Sequence, residues 1–427
     1  MTRGHRSDGS QPTLWAYDDE EAVQPPGRPV EPSDDPASAG ETLQPIRGDD
    51  LWEAIFSGKN LLRAMHRVEQ NKGAPGPDGM KVDQLRYFFN AHWPEVQGLL
   101  DLGRYRPQPV RQVLIPKPGG GRRELGVASV VDRFICQAIS QVLSPIFDPG
   151  FSEHSYGFRP KRSAHQAVEA ARGYVRSGSG WVVDLDLESF FDRVNHDALM
   201  ARVARKVKDR RVLKLIRAYL NAGVMVAGVK IEREEGTPQG SPLSPLLANI
   251  MLDDFDKELE QRGHRFVRYA DDIRIYVGSE RAGSRVFNAA TQFIEGGLKL
   301  KVNAKKSGVV PSTKQGLLGF RFFRRKGTNE IGISVSPKAI LAVKARIREL
   351  TVRHGGLPMP RRIGAINRFI AGWCAYFAFS EAQSQMSSLD GWLRRRLRQA
   401  QWCDWKRIRT RFRNLRKLGV RYDKALR

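Results

Sequence analysis

Apolar positions along the chain follow two different spacings. Residues 51–73 and 130–147 place apolar side chains at helical spacing, and the first of these runs stops at a glycine. Residues 104–118 are rich in proline around VLI, which predicts an extended segment rather than a helix. Residues 181–186 and 265–277 are strand-like. Helices and strands mix without regular alternation, which predicts an α+β fold with an antiparallel sheet packed on helices.

Further elements follow from the same pattern. GGGRREL (residues 119–125) predicts a hairpin tip carrying two arginines, and a helix is predicted to begin near Ser189. Additional strands are predicted at LKLKV (residues 298–302) and at two later runs, residues 317–323 and 331–335. From Pro337 onward the pattern is helical and rich in Trp and Arg.

The charge of the chain is large and unevenly distributed. The net charge is +25, yet residues 1–50 hold 4 basic against 11 acidic residues and seven prolines, which predicts a disordered extension. Residues 390–427 hold 14 basic against 3 acidic residues. A basic excess of this size indicates a polyanionic partner, most simply nucleic acid.

Composition also excludes several classes of protein. No uninterrupted apolar run has membrane-spanning length, and the N-terminus lacks the apolar segment of a signal peptide. The three cysteines (Cys136, Cys374 and Cys403) form no CxxC pair, which argues against a zinc site or a disulfide framework. We therefore expect a cytoplasmic protein without a membrane partner.

Two neighbouring carboxylates stand between strand-like runs in RFVRYADDIRIYVG. Aspartate is disfavoured in strands, and we interpret Asp271-Asp272 as the two-residue tip of a hairpin, where Asp is tolerated. Two anions held close together are costly unless a cation neutralises them, and Mg²⁺ suits a few carboxylates combined with phosphates and water. By itself, Asp-Asp more often marks a solvated acidic turn.

A second acidic segment, WVVDLDLESFFD (residues 181–192), supplies a partner for this pair. Asp184 and Asp186 share a face of the predicted strand, so alternation alone leaves open which one is the ligand. Together the two segments offer the parts of a two-metal site for nucleotidyl transfer. The arginines of the predicted tip, Arg122 and Arg123, are suited to meeting a triphosphate.

The order of these segments resembles a group II intron-encoded reverse transcriptase with a maturase domain, over roughly residues 51–427. No single motif carries the resemblance, since YADD alone is a four-letter match. The resemblance rests on eight motifs in the family's order: GAPGPDGM, RYRPQPVRQVLIPKPGGGRRELGVASVVDR, YGFRPKRSAHQA, WVVDLDLESFFDRVNHD, GTPQGSPLSPLLANIMLD, YADD, LKLKVNAKKS and LLGFRF.

The resemblance implies a right-hand polymerase fold and a division of the chain. Residues 51–180 correspond to the fingers, 181–330 to the palm with the catalytic aspartates, and 331–427 to a helical thumb and maturase domain. It also selects Asp186 as the ligand, because the family's ligand precedes two aromatics at +4 and +5, and leaves Asp184 as a supporting neighbour or runner-up. Asp186, Asp271 and Asp272 are then the catalytic carboxylates, and with the Leu187 carbonyl they are expected to bind two Mg²⁺ ions. Asp272 is expected to be the least direct ligand.

The resemblance further implies a deoxynucleoside triphosphate site. Phe191 is expected under the sugar, where it would exclude a 2′-hydroxyl, although an ordinary core aromatic is the alternative. Gln239 and Gly240 are expected to line the pocket, with a plain helix-entry turn as the alternative. The remaining expected triphosphate contacts are Lys117, Arg123 and Lys306. The sequence around Lys306 differs from the family pattern, since NAKKS has Lys305 where the family usually has an acidic residue.

The C-terminal region resembles the thumb and maturase segments of the family. Its aromatic stripe of Trp373, Tyr376 and Phe377 is more typical of helix core than of a base-stacking surface. Its arginines are the candidates for RNA backbone contacts: Arg394, Arg395, Arg396, Arg398, Arg407, Arg409 and Arg411. No CxxC pair follows, so no zinc-containing endonuclease domain is expected.

The function implied is RNA-directed DNA synthesis together with binding of the parent group II intron RNA. That activity would assist splicing and retrohoming by target-primed reverse transcription, with an RNA template, a DNA primer and target DNA as partners. Two alternatives remain open at this point. One is a domesticated or defence-associated reverse transcriptase without an intron, and the other is a splicing cofactor that only binds RNA.

Overall fold

The computed structural model describes residues 50–116, 122–226, 229–231, 235–236, 240–328, 330–352 and 358–426. The extension predicted at residues 1–50 therefore lies outside the described residues except for Asp50. The described part combines helices with three small sheets, and the α+β prediction is confirmed.

The N-terminal part is a group of helices around one very apolar helix. Its helices are α1 (Leu51–Phe56), α2 (Gly58–Gln70), α3 (Leu85–Asp101) and α4 (Val130–Phe147). The single helix predicted from residue 51 is wrong, because Ser57 adopts an extended conformation and its side chain accepts a hydrogen bond from the Asn60 backbone. The segment Val130–Gly150 is apolar and long enough to cross a membrane, but 61% of it is buried inside the protein, as befits a core helix.

A four-stranded sheet lies beside these helices. It is formed by β1 (Val110–Pro116), β2 (Arg122–Val127), β4 (Val224–Val226) and β5 (Val229–Ile231), in the order β2-β1-β4-β5. The predicted position of both arginines at the hairpin tip is wrong. Arg122 and Arg123 are paired residues of β2, opposite Pro116 and Ile115.

The next five helices along the chain are α5 (Ala164–Arg176), α6 (His196–Lys206), α7 (Arg210–Leu220), α8 (Ser244–Gln261) and α9 (Glu280–Gly297). Helices α5, α8 and α9 pack against the central sheet, α6 packs on α8, and α7 packs on α6 and α1. The helix predicted from Ser189 begins later. Ser189 has a φ of +48°, a short 3₁₀ turn follows, and α6 begins only after Asn195, whose side chain accepts from the Ala198 backbone.

The central sheet holds the acidic segments. It consists of β3 (Trp181–Asp186), β6 (Arg265–Tyr269), β7 (Asp272–Val277) and β8 (Gly308–Pro311), in the order β6-β7-β3-β8 with antiparallel pairing throughout. The predicted strand at residues 298–302 is wrong. Only Val302 forms a bridge, to Leu187, and β8 takes the strand position on this edge.

The C-terminal part joins a small sheet to a series of helices. The sheet has the order β11-β10-β9, formed by β9 (Gly316–Leu317), β10 (Phe320–Arg324) and β11 (Ile331–Val335). The helices are α10 (Pro337–Leu350), α11 (Met359–Phe377), α12 (Gln383–Asp404), α13 (Ile408–Lys417) and α14 (Tyr422–Leu426). The strand predicted at residues 331–335 and the helical region predicted from Pro337 are confirmed by β11 and α10.

Two hydrophobic cores cover the two faces of the central sheet. Val183, Leu185 and Ile273 belong to the larger core, which includes α4 and α8. The smaller core packs Val182 and Tyr276 with the C-terminal sheet and α11. Because side chains alternate between faces, Asp184 and Asp186 project away from the larger core. The predicted core role of the aromatic stripe is confirmed, since Trp373 and Phe377 are each 5% exposed.

Candidate active site

The pairing of β3 with β7 brings the two acidic segments together. Asp186 lies directly opposite Asp272, and Asp184 lies directly opposite Arg274. All four side chains belong to one face of the sheet, since residues two apart on a strand share a face. The sequence prediction that the two segments converge therefore matches the register of the sheet.

The connection between β6 and β7 is a tight turn. Tyr269 pairs with Asp272, so the two loop residues are Ala270 and Asp271. The sequence interpretation of Asp271-Asp272 as the tip is therefore wrong by one residue: Asp272 is the first residue of β7. Ala270 has a φ of +58°, the left-handed region that two-residue hairpins require at their first loop position.

Arg274 forms ion pairs with two of the three aspartates on this face, and Asp186 is the third. The two partners are Asp184 and Asp272, the latter with its Oδ1 2.5 Å from Nη1, and Gln315 also donates to Asp184. The Asp184 side chain is 8% exposed, whereas Asp186 is 40% exposed. Burial raises the pKa of Asp184 to about 6, and Arg274 opposes that rise. Asp184 is thus held inside the fold and Asp186 faces outward.

The segment before β8 holds the backbone of Asp186. The Asp186 amide donates to Ser307 Oγ at 2.9 Å, and the Asn303 amide donates to the Asp186 carbonyl at 2.8 Å. Lys306 from the same segment places its Nζ 3.8 Å from Asp186 Oδ1. NAKKS therefore orients one carboxylate through the backbone and brings a cation beside it.

The donor chemistry at this face suits a hard cation. Asp186 and Asp272 lie opposite each other across a strand pair, and Asp271 lies in the adjoining turn, directly before Asp272. Carboxylates suit Mg²⁺, which binds a few of them and takes its remaining oxygens from phosphates and water. Within the described residues, no three or more His, Cys, Asp or Glu side chains are arranged to hold a metal ion by themselves.

The predicted nucleotide contacts are only partly described. Phe191 is 8% exposed, belongs to the larger core and packs edge-on against Phe190, with 5.1 Å between ring centroids. Gly240 has a φ of +113°, and a Cβ there would lie 2.9 Å from the Gly126 carbonyl oxygen, so only glycine fits the position. Lys117 and Gln239 lie outside the described residues, as does the side chain of Arg123.

Sequence reasoning missed the residues that support the carboxylates. Arg274, Gln315 and Ser307 all contact the acidic strands, but none was selected as a site residue. A signal existed for Arg274 alone, since it lies two residues after Asp272 in a strand and so shares its face. Gln315 and Ser307 approach from segments whose position depends on the tertiary fold.

The predicted RNA-binding arginines differ in their surroundings. Arg396 donates to Thr351, and Arg411 stacks on Trp402 and donates to the Trp405 carbonyl, so these two side chains also hold the helices together. Arg394 pairs with Asp390 on the same helix. The others are exposed: Arg395 and Arg398 on α12, Arg407 directly before α13, and Arg409 on α13.

Comparison with protein families identifies two regions. A model of reverse transcriptases (RNA-dependent DNA polymerases) matches residues 115–322, and a model of the group II intron maturase-specific domain matches residues 340–419. The first match contains the central sheet with its carboxylates. The second contains nearly all of the C-terminal helices.

Individual relatives extend these matches. Protein YkfC of Escherichia coli (strain K12) is 32% identical over 323 residues, covering 66% of this chain and 84% of that protein. The group II intron-encoded protein LtrA of Lactococcus lactis subsp. cremoris is 38% identical over 227 residues, which cover 52% of this chain but only 37% of LtrA. A solved partial Cas6-RT-Cas1--Cas2 complex aligns with 57% of this chain and 42% of that chain at 25% identity, with a TM-score of 0.37.

Proposed function

The chain belongs to the reverse transcriptases that carry a group II intron maturase-specific domain and is an RNA-dependent DNA polymerase, and on that premise we propose that Asp186, Asp271 and Asp272 form its catalytic centre. The observation that carries the proposal is the register that sets Asp186 opposite Asp272, next to the turn that carries Asp271. We further propose that the protein binds its parent group II intron RNA, assists splicing and acts in retrohoming by target-primed reverse transcription in the cytoplasm.

The three carboxylates and the Leu187 carbonyl would hold two Mg²⁺ ions. Bound there, the ions would neutralise the phosphates and stabilise the charge that develops during nucleotidyl transfer. The support within the chain is the contrast between the acids on this face. Asp184 is engaged by Arg274 and Gln315, which leaves the more exposed Asp186 available.

The reaction is the transfer of a nucleotidyl group to a primer. The primer 3′-hydroxyl loses its proton to water, its oxygen forms a bond to the α-phosphorus of a deoxynucleoside triphosphate, the bond from that phosphorus to the α–β bridging oxygen breaks, and pyrophosphate leaves. Lys306, beside Asp186, is placed to meet a phosphate as a point charge. Ser307 and Asn303 keep Asp186 in place through its backbone.

Phe191 is proposed to contact the sugar of the incoming nucleotide. Its small exposed fraction would present an edge of the ring and keep the rest packed in the core. The variant Phe191→Val should accept ribonucleotides more readily, because a smaller side chain leaves room for a 2′-hydroxyl. The ratio of deoxynucleotide to ribonucleotide incorporation by wild type and variant measures this, and an unchanged ratio would reject the contact.

The proposed centre is tested with two matched substitutions. Asp271→Asn should lower primer extension on an RNA template about a thousandfold or more, since several kcal/mol of transition-state stabilisation are lost. Asp184→Asn makes the same chemical change on a carboxylate that is already paired within the fold, and it should cost much less. RNA binding by both variants should equal that of the wild type.

Two results would contradict this assignment. Undiminished synthesis by Asp271→Asn would remove Asp271 from the centre. A larger loss in Asp184→Asn than in Asp186→Asn would mean that the strand ligand had been chosen wrongly.

A further inference from the structure

A fully buried ion pair lies directly behind the catalytic turn. Arg268 of β6 and Asp256 of α8 are both 0% exposed. Arg268 Nε lies 2.8 Å and 2.9 Å from the two carboxylate oxygens, and Nη2 lies 2.6 Å from Oδ2. Removing two charges from water is expensive and often gains no stability over apolar side chains, so the pair calls for a role beyond stability.

The remaining end of the guanidinium reaches the turn itself. Arg268 Nη1 donates to the carbonyl oxygen of Ala270 at 3.0 Å and to Asn249 Oδ1 at 2.9 Å. Asn249 in turn donates from Nδ2 to the Gly157 carbonyl at 3.0 Å. One side chain therefore links helix α8, strand β6 and the first loop residue of the hairpin.

The Ala270 carbonyl is the group that decides the shape of a two-residue turn. The peptide between the two loop residues can point its oxygen to either side, and the type I′ and type II′ turns differ by this flip. Ala270 already holds a left-handed φ of +58°, which costs a non-glycine residue about 1 kcal/mol. A hydrogen bond from Arg268 to this oxygen favours one of the two orientations and thereby orients the next residue, Asp271.

The backbone at Gly157 makes a second close contact with the same turn. Gly157 lies so close that a Cβ built on it would be 2.2 Å from the Ala270 nitrogen and 2.9 Å from the Tyr269 carbonyl carbon. The segment is held there because the Tyr156 amide donates to the Arg268 carbonyl, and the Arg268 amide to the His154 carbonyl, each at 2.9 Å. The YGF segment therefore packs against the turn, a contact that the sequence motif did not predict.

We propose that Arg268 is a positioning residue for the reaction. Asp256 and Asn249 hold its guanidinium, which fixes the Ala270–Asp271 peptide so that the Asp271 carboxylate faces Asp186. The backbone of Gly157 packs against the same turn, and Arg268 and Gly157 together form what we call the clamp. The inference rests on the proposed assignment of Asp271 as a metal-binding carboxylate. Arg268 itself touches neither substrate nor metal in this role.

The first experiment separates positioning from stability. Arg268→Lys retains a positive charge for Asp256 but lacks the planar fork that serves three acceptors together. Its kcat should fall about 10- to 100-fold, as expected for a misplaced catalytic group, whereas KM for the deoxynucleotide should change little. Val267→Ala is the matched control, since Val267 is also 0% exposed on β6 but packs into the smaller core.

A second pair of variants adds one methyl group to a glycine, in one case against the turn and in the other into open space. Gly157→Ala should lower kcat because its Cβ displaces the turn backbone. Gly180→Ala is the control, since a Cβ at Gly180, directly before β3, meets no atom within 4 Å. Neither glycine has a positive φ, so the two substitutions differ in the collision alone.

A binding measurement gives a readout that does not require turnover. Mn²⁺ is titrated by electron paramagnetic resonance into protein carrying an RNA template, a dideoxy-terminated DNA primer and the matching deoxynucleotide. Arg268→Lys and Gly157→Ala should bind Mn²⁺ more weakly than wild type, and Val267→Ala and Gly180→Ala should not.

The outcomes separate this inference from the proposed centre. Wild-type kcat and Mn²⁺ affinity in both Arg268→Lys and Gly157→Ala would overturn the positioning role. Equal losses in Arg268→Lys and Val267→Ala, at matched loss of stability, would also overturn it and leave a purely structural ion pair. Failure of Asp271→Asn to reduce synthesis would instead reject the centre itself.

Discussion

The strand pair β3–β7 and the helix α13 both concentrate charge, but in opposite ways. On the strands, Asp184, Asp272 and Arg274 form a compact set in which each group has a defined partner. On α13, which the structure describes throughout, no residue is buried, and Arg409 and Arg413 are exposed to solvent. The strands hold charge at a cost in desolvation, and the helix displays it in water.

The difference indicates what each region requires of its ligand. Buried charges are worth their cost only where a fixed geometry matters, as at a centre that must align a primer end with a phosphate. Exposed cations require only that an anion be near, and they release counterions from nucleic acid whatever its sequence. The two regions should therefore respond differently to substitution and to salt.

The largest effect that sharpens this contrast is expected at Arg274. Arg274→Gln leaves Asp184 buried without its counter-charge, and removal of one partner of a buried pair costs about 3–5 kcal/mol. Chemical denaturation of wild type and variant measures the free energy of unfolding. Arg346→Gln is the control, because the paired side chains of Arg346 and Glu349 are 47% and 63% exposed and their ion pair should contribute less than about 1 kcal/mol. Equal costs at the two sites would break the comparison.

A smaller effect is expected for the exposed arginines on and next to α13, and it should appear in the salt dependence of RNA binding. The variant with Arg407, Arg409 and Arg413 all changed to Gln should bind RNA more weakly, and the slope of log affinity against log salt should fall by about 2, at roughly 0.7 per lost contact. Its unfolding free energy and its extension of a short primer should match those of the wild type.

The matched control removes three charges elsewhere. Arg281, Arg285 and Lys299 are exposed residues on or just after α9, and their change to Gln lowers net charge equally. An equal fall in slope for both triple variants would show that total charge, rather than the arginines on and next to α13, governs RNA binding.

The fold could be predicted where a local pattern decides the structure. The bounds of α4 (Val130–Phe147) match the apolar run, and the YADD hairpin forms where strand-like segments flank a short polar turn. Prediction was wrong where tertiary contacts override the pattern. The expected helix at Ser189 gives way to a 3₁₀ turn because Phe190 and Phe191 are drawn into the larger core.

The candidate site shows the same limit. Periodicity placed Asp184 and Asp186 on one face but left their roles open, because both alternate identically along the strand. Their difference in the structure comes from Arg274 and Gln315, residues 90 and 131 positions away from Asp184 in the chain. Arg268 was missed for a related reason. Its carboxylate partner, Asp256, lies on a helix, and its acceptor, the Ala270 carbonyl, belongs to a turn whose backbone conformation cannot be predicted from composition.

The two-residue turn at Ala270-Asp271 also bears on how this polymerase can change over evolutionary time. Side chains alternate strictly along a strand, so one inserted or deleted residue between Tyr269 and the end of β7 would move the following side chains to the opposite face. Asp272 and Arg274 would then point into the larger core. A working enzyme of this architecture must therefore inherit the two-residue length of this turn unchanged.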